Sequence, residues 1–260
     1  MRTIFVAPFI DMTASASPGP YYNLAGFSLT DMTRCGIELR RIGAGASSME
    51  EVAERTVQYL FDRLRQPDST APACALARLF VTMPFEELQA EQREFALGVL
   101  GRQPDEGMKC LTLLASAGVE EAWNSRHSSA GHKALPLPSP ESVARSPMIA
   151  QLIRQLGVEV RTLLSSDPRL IVEMEQHTFN VFYVPDAEGS PFIPAQEDFV
   201  VPYGVRSVLG FGGVLPSGDL YAMILFSRTR VPREVAELFR TLSLNVKVAL
   251  LPFVDRKVFA

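Results

Sequence analysis

The sequence predicts an α+β fold, a central antiparallel sheet of five or six strands flanked by helices. Three observations predict it. First, Ser207-Val208-Leu209-Gly210-Phe211-Gly212-Gly213-Val214 and Leu220-Tyr221-Ala222-Met223-Ile224-Leu225-Phe226 are apolar, β-prone runs. Pro216-Ser217-Gly218-Asp219 joins them, which is the composition of a hairpin loop of four or five residues. Second, Val231-Pro232-Arg233-Glu234 then opens a helical pattern, with Val235, Leu238, Phe239, Leu242, Leu244, Val246 and Leu250 on or near one stripe. Third, strands and helices do not alternate in short units, which favours an antiparallel sheet over a doubly wound parallel one.

Residues 1–47 read as an N-terminal arm and a short helix. The arm mixes Pro, Gly, Ser and aromatic residues without a period; its apolar run Ile4–Ile10 is short, carries Pro8 and ends at Asp11, unlike a signal peptide. Ser28 or Thr30 caps a helix over about 30–42, and Gly43-Ala44-Gly45-Ala46 breaks it. That glycine-rich stretch reads as a hinge rather than a phosphate-binding turn, because no apolar strand precedes it. Ser48-Met49-Glu50-Glu51 is a capping box opening a helix to about residue 65, with Met49, Val52, Ala53, Val57, Leu60, Phe61 and Leu64 at 3,4 spacing.

Residues 74–82 read as a strand and about 85–100 as a helix, with Leu88, Phe95, Ala96, Val99 and Leu100 inward. Residues 109–115 read as a second strand, and 123–146 as the longest loop. Met148, Ile149, Leu152, Ile153 and Leu156 mark another helix, ended near Gly157. Residues 179–184 and Phe199-Val200-Val201 read as strands before the hairpin. Pro232 suits the first turn of the closing helix, and Pro252 stops that helix from running on.

At 260 residues with 47% apolar and 21% charged residues, the chain can bury a sizeable core. A net charge of -4 supplies no basic face for nucleic acid. No segment approaches the ~20 apolar residues that cross a bilayer, so a soluble cytoplasmic protein is expected. Cys35, Cys74 and Cys110 are scattered and read as reduced, buried thiols.

Arg206-Ser207-Val208-Leu209, the turn, Gly218-Asp219 with the strand to Ser227, and then Pro232, Ala236, Leu238-Phe239, Leu242, Val246 and Ala249-Leu250 resemble the C-terminal half of a GAF domain. The capped helix at 48–65 and the strand at 74–82 resemble that family's first helix and strand. The likeness spans roughly 48–250, its specific part is about 45 residues, and 85–200 is longer than in a compact GAF domain. It sets the expected boundaries: a GAF-like sensory domain over 48–252 and a C-terminal tail over 253–260.

The resemblance implies a ligand pocket over one sheet face and dimerising helices on the other, in domains that commonly precede histidine kinases, PAS domains or other signalling outputs. The helices at 30–42, 48–65 and 232–250 are then the expected homodimer surface. No kinase motif or nucleotide-binding box accompanies them.

In a GAF-like fold the loop Trp123–Lys133 covers the pocket. It holds the lone Trp and two of the three His, so Trp123, Arg126, His127 and His132 are candidate ligand contacts. The alternative is a solvent-facing loop anchored by Trp123. Arg206, before the hairpin, either points into the pocket or pairs with an acid at the sheet rim. His127 and His132 are five apart, on different faces of a helix, and His177 meets them only through tertiary structure, which is a poor metal pattern. No Gly-x-Ser-x-Gly elbow is present. No cofactor is named by these residues.

The expected function is non-catalytic: a sensory or regulatory domain that binds a small molecule or partner and transmits its state through flanking helices. Two alternatives stand beside it. A thiol-based reductase of GAF type requires Cys74 and Cys110 to converge in the pocket, and a ligand-free interaction module requires no pocket.

Overall fold

In a computed structural model, the structure describes residues 20–129, 131–164, 180–254 and 256–260. The first nineteen residues of the arm, His177 and Phe179 lie outside the described residues.

The helix and strand signals resolve into α1 (Leu29–Arg41), α2 (Met49–Arg63), β3 (Cys74–Pro84), α3 (Ala90–Leu100) and β4 (Lys109–Gly118). Two short strands, β1 (Tyr22–Asn23) and β2 (Leu64–Arg65), pair in parallel beside α2. Then follow β5 (Ala134–Pro136), α4 (Pro140–Ala144), α5 (Pro147–Gln155), α6 (Val160–Leu163), β6 (Val181–Val184), β7 (Ser207–Val214), β8 (Leu220–Ser227) and α7 (Arg233–Leu250). The main sheet has six strands in the order β5-β4-β3-β8-β7-β6, and every neighbouring pair is antiparallel. The architecture is the expected one, an α+β antiparallel sheet of six strands with helices on both faces.

Local chemistry explains the helix ends. Ser28 accepts from the Asp31 N–H while Asp31 accepts from the Ser28 N–H, a complete capping box. At α2 the box is displaced: Ser48 Oγ accepts from Glu51 N–H, but the Glu51 carboxylate takes the N–H and hydroxyl of Ser47. The free first-turn N–H groups of Met49 and Glu50 donate to the carbonyls of Lys257 and Val258, at 3.1 and 2.8 Å, so the C-terminal tail closes the start of α2.

Alternation along the strands divides two cores. Tyr221, Met223 and Leu225 of β8, with Leu209 and Phe211 of β7, face a layer built from α1, α2 and α7. Ala222, Ile224 and Phe226, with Val208 and Val214, face the opposite layer of α4, α5, α6 and the loops around them. On the first face α7 is tied down by a fully buried network. Tyr221 Oη sits 2.8 Å from Ser243 Oγ, and Ser243 Oγ donates to the Gly212 carbonyl at 2.7 Å. A Cβ at Gly212 would lie 2.1 Å from the Tyr221 carbonyl, so only glycine fits there. α1 lies against α7, and at Gly36 a Cβ would come within 2.8 Å of Asn245 Nδ2.

Several expectations are corrected. Residues 199–201 are no strand: Gln196–Val200 forms a wide helical turn. The Gln196 side chain causes it, with Nε2 donating to the carbonyls of Ala187 and Ile193 and Oε1 accepting from Gly189 N–H. The helix at 85–100 starts at Ala90 after a short turn over Phe85–Glu87, and Val99 is exposed rather than inward. The 123–146 loop contains β5 and α4. Apart from these corrections, the apolar stripes of α1, α2 and α7 pack largely within this chain, and Leu29 and Ile37 of α1, Leu244 and Val248 of α7, and Leu251 just beyond it stay exposed.

Candidate functional site

A cavity of about 240 Å³ lies between the sheet and the loop layer on the face away from α7. Its floor is Leu76, Arg78 and Phe80 of β3, Leu111 of β4, and Ile224 and Phe226 of β8. Its roof comes from α5 and from the connections before β5 and β7. The size falls just below the ~300–1,000 Å³ range of ordinary ligand pockets, and the wall is predominantly apolar, as such pockets are.

Aromatic residues build one wall. Trp123 stacks on Gly118 at the end of β4, and its ring centroid is 4.6 Å from Tyr203 and 5.5 Å from Phe199. Phe199 meets Phe226 edge-on at 5.0 Å. The helical turn at 196–200 therefore has a consequence for the site: it delivers Phe199 and Tyr203, four residues apart, to one side.

The polar part of the wall is small. Arg78 sits in mid-strand between Ser116 of β4 and Ile224 of β8. Its Nε donates to Ser116 Oγ at 3.3 Å and its Nη2 to Ser129 Oγ at 3.0 Å, tethering the covering loop to the sheet. Burial pulls its pKa from 12.5 down to about 10, so it stays cationic at neutral pH. His132 reaches the cavity from a backbone with φ of 62°, a left-handed conformation that few residues other than glycine adopt, histidine among the more tolerant. Withdrawal of its ring from water, and then the Arg78 charge, hold its pKa below the ordinary imidazole value.

The five residues singled out from sequence go to different places. Trp123 and His132 line the cavity together. Arg126 turns to the other side of the loop, where it forms a buried ion pair with Glu50, donates to Gln89 Oε1 at 2.8 Å and lies 5.1 Å over the Phe259 ring. His127 is exposed and pairs with Glu91 at 3.2 Å. Arg206 is at the sheet rim, 3.4 Å from Glu188.

Arg78 was missed. The available signal was a charged residue inside the apolar run Cys74–Met83, a place where a strand facing two cores has no solvent side.

The cysteines do not converge. Cys74 opens β3 opposite Ser227, while Cys110 opposes Met83, nine residues further along β3, about 30 Å at strand rise. Both belong to the core under α1, α2 and α7, away from the cavity. All three thiols are free and buried, and burial pushes each up to about 12. Among the described residues no group of three or more His, Cys, Asp or Glu is placed to hold a metal ion, and no helix is long and apolar enough to cross a membrane.

No protein-family model and no curated protein matches the sequence. Among solved structures, the chain is similar to the GAF domain from a phosphoenolpyruvate-protein phosphotransferase of Coxiella burnetii, at 12% identity and a TM-score of 0.40, over 85% of this chain and 91% of that one. It is similar to the N-acylhomoserine lactone dependent LuxR family transcription factor CepR2 from Burkholderia cenocepacia, at 14% identity and 0.35, over 87% and 98%. It is also similar to the chromophore-binding domain of Stigmatella aurantiaca bacteriophytochrome, at 12% identity and 0.40, over 92% and 64%. At these values no ligand and no activity passes from those proteins to this chain.

Proposed function

We propose that this chain is a non-catalytic sensory or regulatory domain that binds a small molecule in the sheet cavity and passes its occupancy to α7. One observation carries the reading: β8 has the cavity on one side and α7 on the other. Ile224 and Phe226 line the cavity, while Tyr221, Met223 and Leu225 sit in the α7 core, and Tyr221 holds Ser243 of that helix. A ligand pressing on Ile224 and Phe226 displaces a strand whose other face is bonded to the helix. Packed cores are stiff, so a sub-ångström shift is transmitted rather than absorbed. Among the described residues the cavity lining holds no Ser, Cys, Asp or Glu, which favours binding over nucleophilic or acid–base chemistry.

In this reading α7 and α1 deliver the signal to a second copy or to an output protein such as a histidine kinase or PAS module. Leu244, Val248 and Leu251 with Ile37 are the surface such a contact covers. Sedimentation of wild type against Leu244→Glu tests the contact with a second copy, with an unchanged monomer in both as the result that refutes it.

The main test combines thermal-shift screening of small molecules with hydrogen exchange. A bound compound is expected to slow exchange of the cavity-lining segments and to change exchange in α7. Binding in the cavity with no change in α7 refutes transmission, and a library without a single binder refutes the sensor.

A further inference from the structure

We propose that the molecule taken by this cavity is a compact amphipathic monoanion, an apolar body carrying one carboxylate, and that Arg78 is the residue that captures the carboxylate. The inference rests on the cavity being a ligand site and deepens that reading.

The cavity wall is chemically unbalanced. Phe80, Leu111, Trp123, Met148, Phe199 and Phe226 offer apolar surface, and one guanidinium stands among them. Arginine carries five N–H donors in a planar fork matched to two carboxylate oxygens. Arg78 spends two of them, both on neutral hydroxyls, at 3.3 Å to Ser116 and 3.0 Å to Ser129. Among the described residues no carboxylate pairs with it, and burial alone accounts for its depressed pKa, with no acid acting against it. Two other arginines of low or intermediate exposure find acids, Arg126 with Glu50 and Arg55 with Glu51, while half-buried Arg228 donates to the Tyr203 carbonyl and Arg65 lies over the Tyr21 ring. A partly desolvated cation without a counter-ion is costly to the fold, and an anion entering from solvent relieves that cost.

Charge number and volume narrow the class. Among the described residues Arg78 and His132 are the only basic ones of the lining, and the depressed pKa of His132 leaves it neutral at pH 7. One cation suits one carboxylate and does not suit a di- or triphosphate, which needs several. A volume of about 240 Å³ suits a single ring system or a short acyl chain rather than a large cofactor. The two serines fix the guanidinium plane, so its remaining donors are pre-organised and little rotamer entropy is lost on binding.

The chain's lone tryptophan, Trp123, lines the cavity and reports on occupancy by its fluorescence. The full chain is titrated with octanoate, benzoate and indole-3-acetate, and in parallel with the matched uncharged amides. The expected result is binding of at least one carboxylate at least tenfold tighter than its amide. Arg78→Met is expected to bring the acid-to-amide affinity ratio down to about one, and Arg78→Lys to retain part of the preference. Arg78→Met removes a desolvated charge together with its two bonds to Ser116 and Ser129, so a melting curve checks that each variant is folded before titration. Arg78→Lys, which keeps a charged donor, separates loss of the fork from loss of the loop tether. Equal binding of acid and amide to wild type overturns the anion class and leaves the cavity reading standing. A carboxylate preference that survives in Arg78→Met overturns the role of Arg78. No Trp123 response to any probe overturns both this inference and the reading on which it rests.

Discussion

Replacing Arg126 by Met tests how much of this fold hangs on a single buried charge pair. Arg126 and Glu50 are each about 5% exposed, and their pair joins the loop after β4 to the first turn of α2. Glu50 also accepts the Ala260 N–H at 2.9 Å, and Arg126 stacks over Phe259, so the same pair pins the C-terminal tail. Removing one partner leaves a carboxylate buried without its cation, which costs about 3–5 kcal/mol. The lost stacking adds about 0.5–1 kcal/mol, partly offset by the packing of the Met side chain. A total near ~4 kcal/mol corresponds to a melting temperature lowered by roughly 8–16 °C in a chain of this size. Urea denaturation of Arg126→Met, Glu50→Gln and the double variant forms a cycle, in which the double variant is expected to lose about 2 kcal/mol less than the sum of the singles. A loss below about 1 kcal/mol for Arg126→Met, or singles that add within about 0.5 kcal/mol, refutes the reasoning. Octanoate titration of Arg126→Met at low temperature is expected to match wild type, because the side chain points away from the cavity.

Gly212→Ala is expected to cost about 3 kcal/mol or more or to prevent folding, since its Cβ would meet the Tyr221 carbonyl at 2.1 Å. Gly98→Ala, inside α3 with nothing within 4 Å, is expected to stabilise by about 0.5–1 kcal/mol, and chemical denaturation compares the two. The three buried thiols are expected to resist an aromatic disulfide reagent at pH 8 until the chain is unfolded. Their folded pKa values are raised from 9.0 to about 12, so the stability they contribute is complete below pH 9 and is lost as pH rises towards 12. The depressed pKa of His132 has the opposite sense. An unfolded imidazole takes up a proton near 6.5 while the folded one stays neutral, so stability is complete above that pH and falls as pH drops through the folded value. His132→Asn is expected to flatten that acid-side slope in urea midpoints measured from pH 7 downwards, and an unchanged slope refutes it.

Elements with a local cause were legible in the sequence. Ser28 and Ser48 mark helix starts by hydrogen bonds to residues three positions on, and the 207–227 hairpin carries its loop chemistry between its own strands. What a segment does through distant partners was not. Val200 and Phe199 are β-prone, yet Gln196 winds them into a turn by bonds to Ala187 and Gly189. Arg126 carried the right chemistry for an anion site, but its partner Glu50 lies 76 residues away, and nothing near Arg126 announces it. Trp123 and His132 were legible as members of a covering loop because aromatic and imidazole side chains concentrate there. Arg78 was not, because a charge in mid-strand is read as the solvent side until both faces of the sheet are known to be covered.

The close approach of α1 to α7 has a mechanical consequence. Gly36 lies against the Asn245 side chain, and Gly43, just past the end of α1, is so near α7 that a Cβ would lie 2.9 Å from the Ala249 carbonyl, so the two helices approach closely at both points. They form one plate resting on the sheet. On the proposed reading, tilting α7 would carry α1 with it, and a push at Phe226 would move two surfaces, from opposite ends of the sequence, in the same direction. Widening the gap with Gly36→Leu would separate the plate into two independent rods and leave the cavity untouched.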